Sequence, residues 1–323
     1  MHESDALPDT GCWRGIGATT TANLTWLLDG DPAVAYQATR DLLGVDDARL
    51  QVRIADEGAG ATLLAARGPD GHWGAGFYNP KWTSTHYTLL ELRGLGLAPT
   101  HPVARDACAL VLRDHKVRDG GVDPRPTTRH SDVCVNGMAL NYLSWFGSDA
   151  DQLASIVDVI LAEQMPDGGF NCRTSRTGAT HSSVHTSTSV IEGITAYEQA
   201  GYSHRRAELR DARTSAVEFL LRHRLFRSER TGKPIRPDFT RLHYPARWYF
   251  DVLRGLDALR AAGIDYDERM RDACSVLEKR RRSDGRWVAQ RGYPGKTHLT
   301  YPPPGEPNPW VTLIALRVLR AYA

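Results

Sequence analysis

The tightest constraint on this chain is a turn that it repeats. Asp70-Gly71-His72-Trp73-Gly74 returns as Asp119-Gly120-Gly121-Val122, as Asp167-Gly168-Gly169-Phe170 and as Asp284-Gly285-Arg286-Trp287. The first three lie roughly 50 residues apart, a period typical of architectures stacked from supersecondary units. The last gap is about twice as long, and the irregular stretch Ser228 to Thr240 falls where a degenerate turn is due.

Around each turn the chain reads helix, turn, helix. Ahead of the third turn, Leu153, Ile156, Val157, Ile160 and Leu161 follow the spacing of a helix with one apolar face. Past the second turn, Met138 to Phe146 is apolar nearly all round, and a helix without a polar face is buried on every side. Thr88 to Leu97, Val190 to Tyr197, Tyr249 to Leu259 and Val311 to Tyr322 are of the same kind. Alternating amphipathic and buried helices predict two concentric rings around a central cavity. No window sustains period-two alternation, so the expected fold is all-α: an α/α toroid (barrel) of about five to six helical-hairpin repeats. It is expected as a single domain over 25–323, preceded by an N-terminal extension over 1–24. Asp31-Pro32 reads as a capped start and predicts a first outer helix through Leu43. Gly147, Gly201 and Gly263 fall where left-handed caps close helices.

Composition narrows the class. Forty Lys and Arg against 38 Asp and Glu leave +2, which implies neither nucleic acid nor an acidic membrane as partner. Met1 to Gly17 is polar and no window approaches a transmembrane length. Five scattered cysteines suit a reducing compartment better than a disulfide framework. The expectation is a soluble cytoplasmic protein.

Two similar passages then stand out, Arg129-His130-Ser131-Asp132-Val133-Cys134-Val135-Asn136-Gly137 and Thr180-His181-Ser182-Ser183-Val184-His185-Thr186-Ser187. Superposing His130 on His181 places Cys134 on His185, so Asp132, Cys134 and His185 offer three zinc-ligand types from neighbouring repeats. Inner-helix starts are expected to line the mouth of the toroid, where unpaired N–H groups suit an anion. Reading those starts in order adds Lys81, Trp82, His243, Arg247, Trp248 and Trp310. The plainer alternatives are a buried structural thiol at Cys134 and a core histidine at His185. His181 and His185, four apart, share a face on a helix and could both meet metal or substrate. The recurrence of His130 at His181 argues instead for a structural role such as capping.

The Asp-Gly-x-Trp/Phe turns between outer and inner helices resemble those of the terpenoid cyclase and protein prenyltransferase toroids, over nearly the whole chain from about Thr25. Asp132-Val133-Cys134 and His185-Thr186-Ser187-Thr188 are similar to the zinc motifs of prenyltransferase β subunits, and Gly193 falls where that family has a small residue. The resemblance implies Zn2+ on Asp132, Cys134 and His185, with basic residues holding an isoprenoid diphosphate. Arg129 matches a lysine position by charge, Arg125 is offset by one residue, and Lys81 replaces a histidine; the plainer alternative is solvated loop charges, which is the preferred reading for Arg125. Arg247, with Asp251 one turn on as its expected partner, is a further anion contact. Trp82, Trp248 and Trp310 would line an apolar cavity, while Tyr142, Trp145 and Tyr249 read as core. Val135 departs from the family's aromatic, and no Asp-x-Asp-Asp acid motif occupies an inner-helix start, which disfavours protonation-initiated cyclisation.

These readings lead to a zinc-dependent transferase of prenyltransferase type, activating a thiol or other nucleophile against an isoprenoid diphosphate. The alternatives are a zinc-dependent hydrolase or lyase using activated water, with His181 or His130 as base, and a terpene cyclase-like or non-catalytic ligand-binding toroid. A partner subunit is not legible.

Overall fold

A computed structural model describes residues 18–322, with side chains from 21 onward except 175 and 176. Twelve of its helices make six outer–inner hairpins with a short helix or two between. The first pairs α1 (Ala18–Leu28) with α2 (Pro32–Ala38), and a π-helical turn over Thr39–Leu43 continues α2. Next, α3 (Ala48–Asp56) and α4 (Gly58–Ala65) lead into α5 (Thr85–Leu95). Then α6 (Pro102–Asp114) precedes α7 (Val133–Trp145). In the fourth, α8 (Ala150–Ala162) and the one-turn α9 (Thr174–Thr177) precede α10 (Val184–Gln199). The last two are α11 (Arg206–Arg222) with α12 (Val252–Ala261) and α13 (Arg271–Arg280) with α14 (Pro309–Tyr322). Isolated bridges are the extended pairings among the described residues, so the all-α expectation is met.

The amphipathic helices lie outside. In α8, Leu153, Ile156, Val157 and Ile160 are wholly buried, Asp149 caps the first turn through the Gln152 N–H at 3.1 Å, and Asp158 faces water. The second helices close an inner ring through named bonds. Gln37 Nε2 of α2 donates to the Gly94 and Leu95 carbonyls of α5 at 3.0 and 3.1 Å, and the His86 ring of α5 meets the Tyr142 hydroxyl of α7. Arg254 of α12 grips Glu192 of α10, and Arg317 of α14 reaches Asp257 of α12 on one side and Asp41 beyond α2 on the other.

One expectation is corrected here. The helix opened by Asp31-Pro32 is an inner helix, with all seven residues of α2 buried. Asp31 does cap it, accepting the Ala33 N–H at 2.9 Å, and its second oxygen takes the Ala59 N–H at 2.7 Å. The outer partner is α1, which begins inside the segment read as an extension. Residues 1–17 lie outside the described part. The left-handed closures at Gly147, Gly201 and Gly263 are as expected.

The repeated turns have a shared chemistry. Asp119 accepts the Ser131 N–H at 2.6 Å and its hydroxyl at 3.1 Å, and Asp167 holds the N–H and hydroxyl of Ser182 in the same way. The N–H after each turn is taken up by the inner helix: Trp73 by Thr85, Val122 by Asn136, Phe170 by Ser187 and Trp287 by Thr312, at 2.8–3.0 Å. The degenerate unit keeps the bridge geometry as Arg227–Pro234. Ser131 and Ser182 therefore recur because they fasten the turns.

α7 and α10 meet through glycine. A Cβ on Gly193 would lie 2.3 Å from the Gly137 carbonyl oxygen, and one on Gly137 would lie 2.9 Å from Ser189 backbone. Backbone cannot yield as a flexible side chain does, so Gly193→Ala is expected to destabilise by about 1–3 kcal/mol. Denaturant unfolding checks this; an unchanged midpoint refutes the close approach.

Candidate functional site

The inner-helix starts carry most of the residues singled out from sequence. Asp132 is the N-cap residue of α7, and its N–H donates to buried Asp123 at 3.0 Å. Arg125 bridges both acids, 2.9 Å from Asp123 and 3.4 Å from Asp132, so this cation is spent on carboxylates. Cys134, the second residue of α7, has its thiol pushed up by its neighbour Cys172 and by burial, while Cys172 is pulled down to about 6. His185 Nδ1 accepts the Phe250 N–H at 2.7 Å, and its ring packs among Phe239, Trp248 and Tyr249. Burial, helped by Arg254 and Arg236, pulls His185 down to about 4, so it is neutral near pH 7.

That hydrogen bond bears on zinc. A neutral imidazole accepting at Nδ1 carries its proton on Nε2, whereas a ligating histidine offers one lone pair and donates from the other nitrogen. Among the described residues no group of three or more His, Cys, Asp or Glu is placed to hold a metal ion. As arranged here, Asp132, Cys134 and His185 do not fit a zinc ion, and no chemical step is derived through one.

The remaining candidates divide. The rings of His130 and His181 are exposed, and both passages are held through backbone, the His130 carbonyl by Thr128 and the His181 carbonyl by Asn171. His181 precedes α10, so it does not share a helical face with His185. Arg129 is an exposed loop residue. The Lys81 ammonium sits 4.9–5.8 Å from the ring centres of Trp248, Trp82 and Tyr78, and burial lowers its pKa. Asp251 caps α12 through the Arg254 N–H and accepts from His243, and forms no ion pair with Arg247 among the described residues. Of the three expected anion contacts, Arg247 alone lines the central cavity.

That cavity encloses about 450 Å³ and runs along the ring axis. Its walls pass from Arg247 and Trp310 at the helix starts, beside Glu91 and Arg254, to Trp145 and Arg317. The most exposed lining residues, Gly94, Gln199 and Ala261, all lie in the last turns of α5, α10 and α12. The mouth is thus at the C-terminal ends of the inner helices, opposite to the end expected from sequence. The reason is loop length. The long turn-bearing connections cover the N-terminal end, where Trp248, Tyr249, Tyr293 and His243 stack at 3.5–4.9 Å and Trp82 Nε1 bonds the Pro294 carbonyl.

Its walls mix apolar groups with a network of ion pairs that the expectation of an apolar isoprenoid cavity did not include. Arg254 pairs with Glu192 at 2.6 Å, Arg317 with Asp41 at 2.8 Å and with Asp257, and Arg260 with Asp257 at 2.9 Å. Two guanidiniums are different. Arg93 and Arg247 form no ion pair among the described residues, although each lies over a tryptophan, Trp145 and Trp82 respectively. Arg93 Nε, Asn141 Oδ1 and Thr195 Oγ, all in the cavity wall, are buried without a partner. Glu91 lines the same cavity and accepts the Tyr301 hydroxyl; burial, opposed by Arg247, pushes its carboxyl up to about 7. Sequence reasoning missed Glu91, Arg93, Glu192, Arg254, Asp257 and Arg317, although each is a charge inside an otherwise apolar helix.

No family model and no curated protein matches the chain. Among solved structures it is similar to the type II terpene cyclase MstE from Scytonema, in the apo form, in a variant bound to its substrate geranylgeranyl dihydroxybenzoate and in another bound to its product merosterolic acid A. In each case the identity is 15%, the match covers 84% of this chain and 96% of that one, and the TM-score is 0.33. No described helix is long and apolar enough to cross a membrane.

Proposed function

We propose that the central cavity is the working site of an enzyme that binds a small organic anion with an apolar body and moves a proton through Glu91. The observation that carries this is the pair of guanidiniums, Arg93 and Arg247, which line one cavity and make no carboxylate contact within 4 Å among the described residues, Arg247 donating only to the Trp82 carbonyl. A buried cation without a counter-ion is costly, and a carboxylate or phosphate ligand relieves that cost with charge-assisted bonds. Leu90, Tyr244, Leu253, Trp310 and Ile314 supply the apolar wall. A cavity of about 450 Å³ is within the range that takes a drug-sized molecule. An isoprenoid diphosphate fits that description, as do smaller phosphates and carboxylates.

Glu91, with its carboxyl pushed up to about 7, populates both protonation states near pH 7, as a general acid or base at that pH should. The surrounding guanidiniums favour negative charge developing on the substrate. This supports a lyase-, isomerase- or hydrolase-type proton transfer over a reaction through a carbocation, and it needs no metal-held nucleophile.

The test is ligand-induced stabilisation with inorganic diphosphate, geranyl diphosphate and farnesol. The two anions are expected to raise the melting temperature of the native chain, and the alcohol is not. Arg93→Met and Arg247→Met should each weaken anion binding by about tenfold or more, the worth of one charge-assisted contact. Equal shifts in the native chain and both variants would sink the reading.

A further inference from the structure

The two uncommitted guanidiniums of the central cavity stand toward its opposite ends. Arg247 Nη1 donates to the Trp82 carbonyl at 3.2 Å, ahead of α5, from a backbone held in the left-handed region (φ 57°). Arg93 lies in the last turn of α5, over the ring of Trp145 at the end of α7. A helix of 11 residues is about 16 Å long, so nearly all of α5 separates the two anchor points. Glu192, the acid whose field Arg93 feels most, is already clasped by Arg254 at 2.6 and 2.9 Å. Two further polar groups belong to the Arg93 end. Asn141 of α7 sits one turn before Trp145 on the same face. The close approach of Gly193 to Gly137 brings Thr195 of α10 within a turn of the same height. Asn141 and Thr195 are only 6% and 4% exposed, and Asn141 Oδ1 and Thr195 Oγ have no hydrogen-bond partner among the described residues. Unmet buried polar atoms on three successive inner helices are costly unless a ligand meets them. The wall as a whole carries six arginines and four acids, an excess of two positive charges with Glu91 ionised and three with it protonated.

Resting on the reading of this cavity as an anion site, we infer that its ligand is a two-ended dianion. One anionic group lies at Arg247 and the other at Arg93, Asn141 and Thr195, with an apolar chain between them. A straight-chain dicarboxylate is the simplest member of this class. Arg93 offers its N–H groups to the second carboxylate, the Thr195 hydroxyl donates, and Asn141 offers its NH2 end. The chain between the ends lies along Leu90, Leu253 and Ile314. Two negative charges match the excess of the wall, whereas a monoanion leaves one guanidinium without a counter-ion in an enclosed space. A dianion with both charges on one head leaves the Arg93 end unmet in the same way.

The test is calorimetric titration of the full chain with mono- and dicarboxylates of matched carbon number, from hexanoate and hexanedioate to dodecanoate and dodecanedioate. At one length the dianion should bind about tenfold tighter than its matched monoanion, or more, with weaker binding on either side of that length. Monoanions should instead tighten steadily as their apolar area grows. Decyl phosphate, with both charges on one head, should bind more weakly than the best dicarboxylate. Arg93→Met should abolish the dianion's advantage, and Thr195→Val should reduce it about fivefold. Valine has the shape of threonine and the lost hydroxyl had no partner, so the melting temperature of the free Thr195→Val chain should not fall. Weaker dianion binding by that variant is then a loss of contact and not of fold. Dicarboxylates no tighter than matched monocarboxylates at every length overturn the two-ended assignment and leave the anion site standing. Decyl phosphate binding as tightly as the best dicarboxylate, or a dianion advantage that survives both variants, has the same consequence. Failure of every carboxylate and phosphate to bind removes the anion site itself, and this inference with it.

Discussion

Arg317→Ala is expected to lower unfolding free energy by about 3 kcal/mol, at the low end of the cost of breaking a buried ion pair. Its guanidinium, on α14, meets Asp41 at 2.8 Å, Gln37 at 3.0 Å and Asp257 at 2.8 Å, joining three inner helices at the mouth. Removal leaves two enclosed carboxylates, each keeping one partner: Arg40, with bonds of 2.7 and 3.1 Å, for Asp41, and Arg260 at 2.9 Å for Asp257. Those partners hold the loss below the top of the range. For a chain of this size the shift in melting temperature should be roughly 6 °C.

The effect has a pH signature. Burial raises both acids, but their arginines outweigh it and hold Asp41 and Asp257 below the ordinary carboxylate value. A carboxyl with a depressed folded pKa stabilises above its unfolded pKa of about 4 and loses that stability as pH falls through the folded value. The gap between native chain and variant should therefore be full at pH 7 and narrow below about pH 4. Adding Asp257→Asn to Arg317→Ala should recover part of the loss at pH 7, because it removes a stranded charge. A variant as stable as the native chain at pH 7 would show that the pairs are solvated and that the mouth is open to water there.

What the sequence discloses is set by how far apart the interacting residues lie along it. The turns are local: Asp119 and Asp167 bond serines 12 and 15 positions on, so the period survives in the sequence. The face of α8 is likewise written at helical spacing. The misplacement of α2 has a readable cause, since Ala33, Val34, Ala35, Tyr36 and Ala38 offer no polar face and already mark a buried helix. Its outer partner begins Ala18-Thr19-Thr20-Thr21, where β-branched residues disguise the helix. The site is non-local. Arg254 meets Glu192 across 62 positions and Arg317 meets Asp41 across 276, and no spacing announces such pairs. The repeat itself misled, because the polar helix starts that looked like a ligand mouth serve to fasten turns, while single charges inside buried helices went unweighed. Aligning Cys134 with His185 likewise hid its actual neighbour, Cys172.

Glu91→Gln separates proton transfer from binding and from stability in one variant. The amide keeps the size of the protonated acid but cannot ionise, so turnover on a substrate found through the anion screen should fall by about 10²–10⁴-fold, the usual worth of general acid–base catalysis. Anion binding through Arg93 and Arg247 should persist within about threefold, well under the loss expected from removing either arginine. The native pH profile should inflect near 7 and the variant's should not. Stability gives an independent reading that needs no substrate. A carboxyl whose folded pKa is raised contributes stability fully present below its unfolded pKa of about 4.5 and lost as pH rises through the folded value. The native chain should therefore lose up to ~2 kcal/mol relative to Glu91→Gln between pH 5 and pH 8, with partial exposure to the cavity moderating the full shift. Parallel stability curves for the two proteins would mean that Glu91 titrates like a surface carboxylate. The group would then be ionised at neutral pH, paired electrostatically with Arg247, and unfit to give up a proton. The same curves thus decide whether the cavity carries an acid or merely a wall of charge.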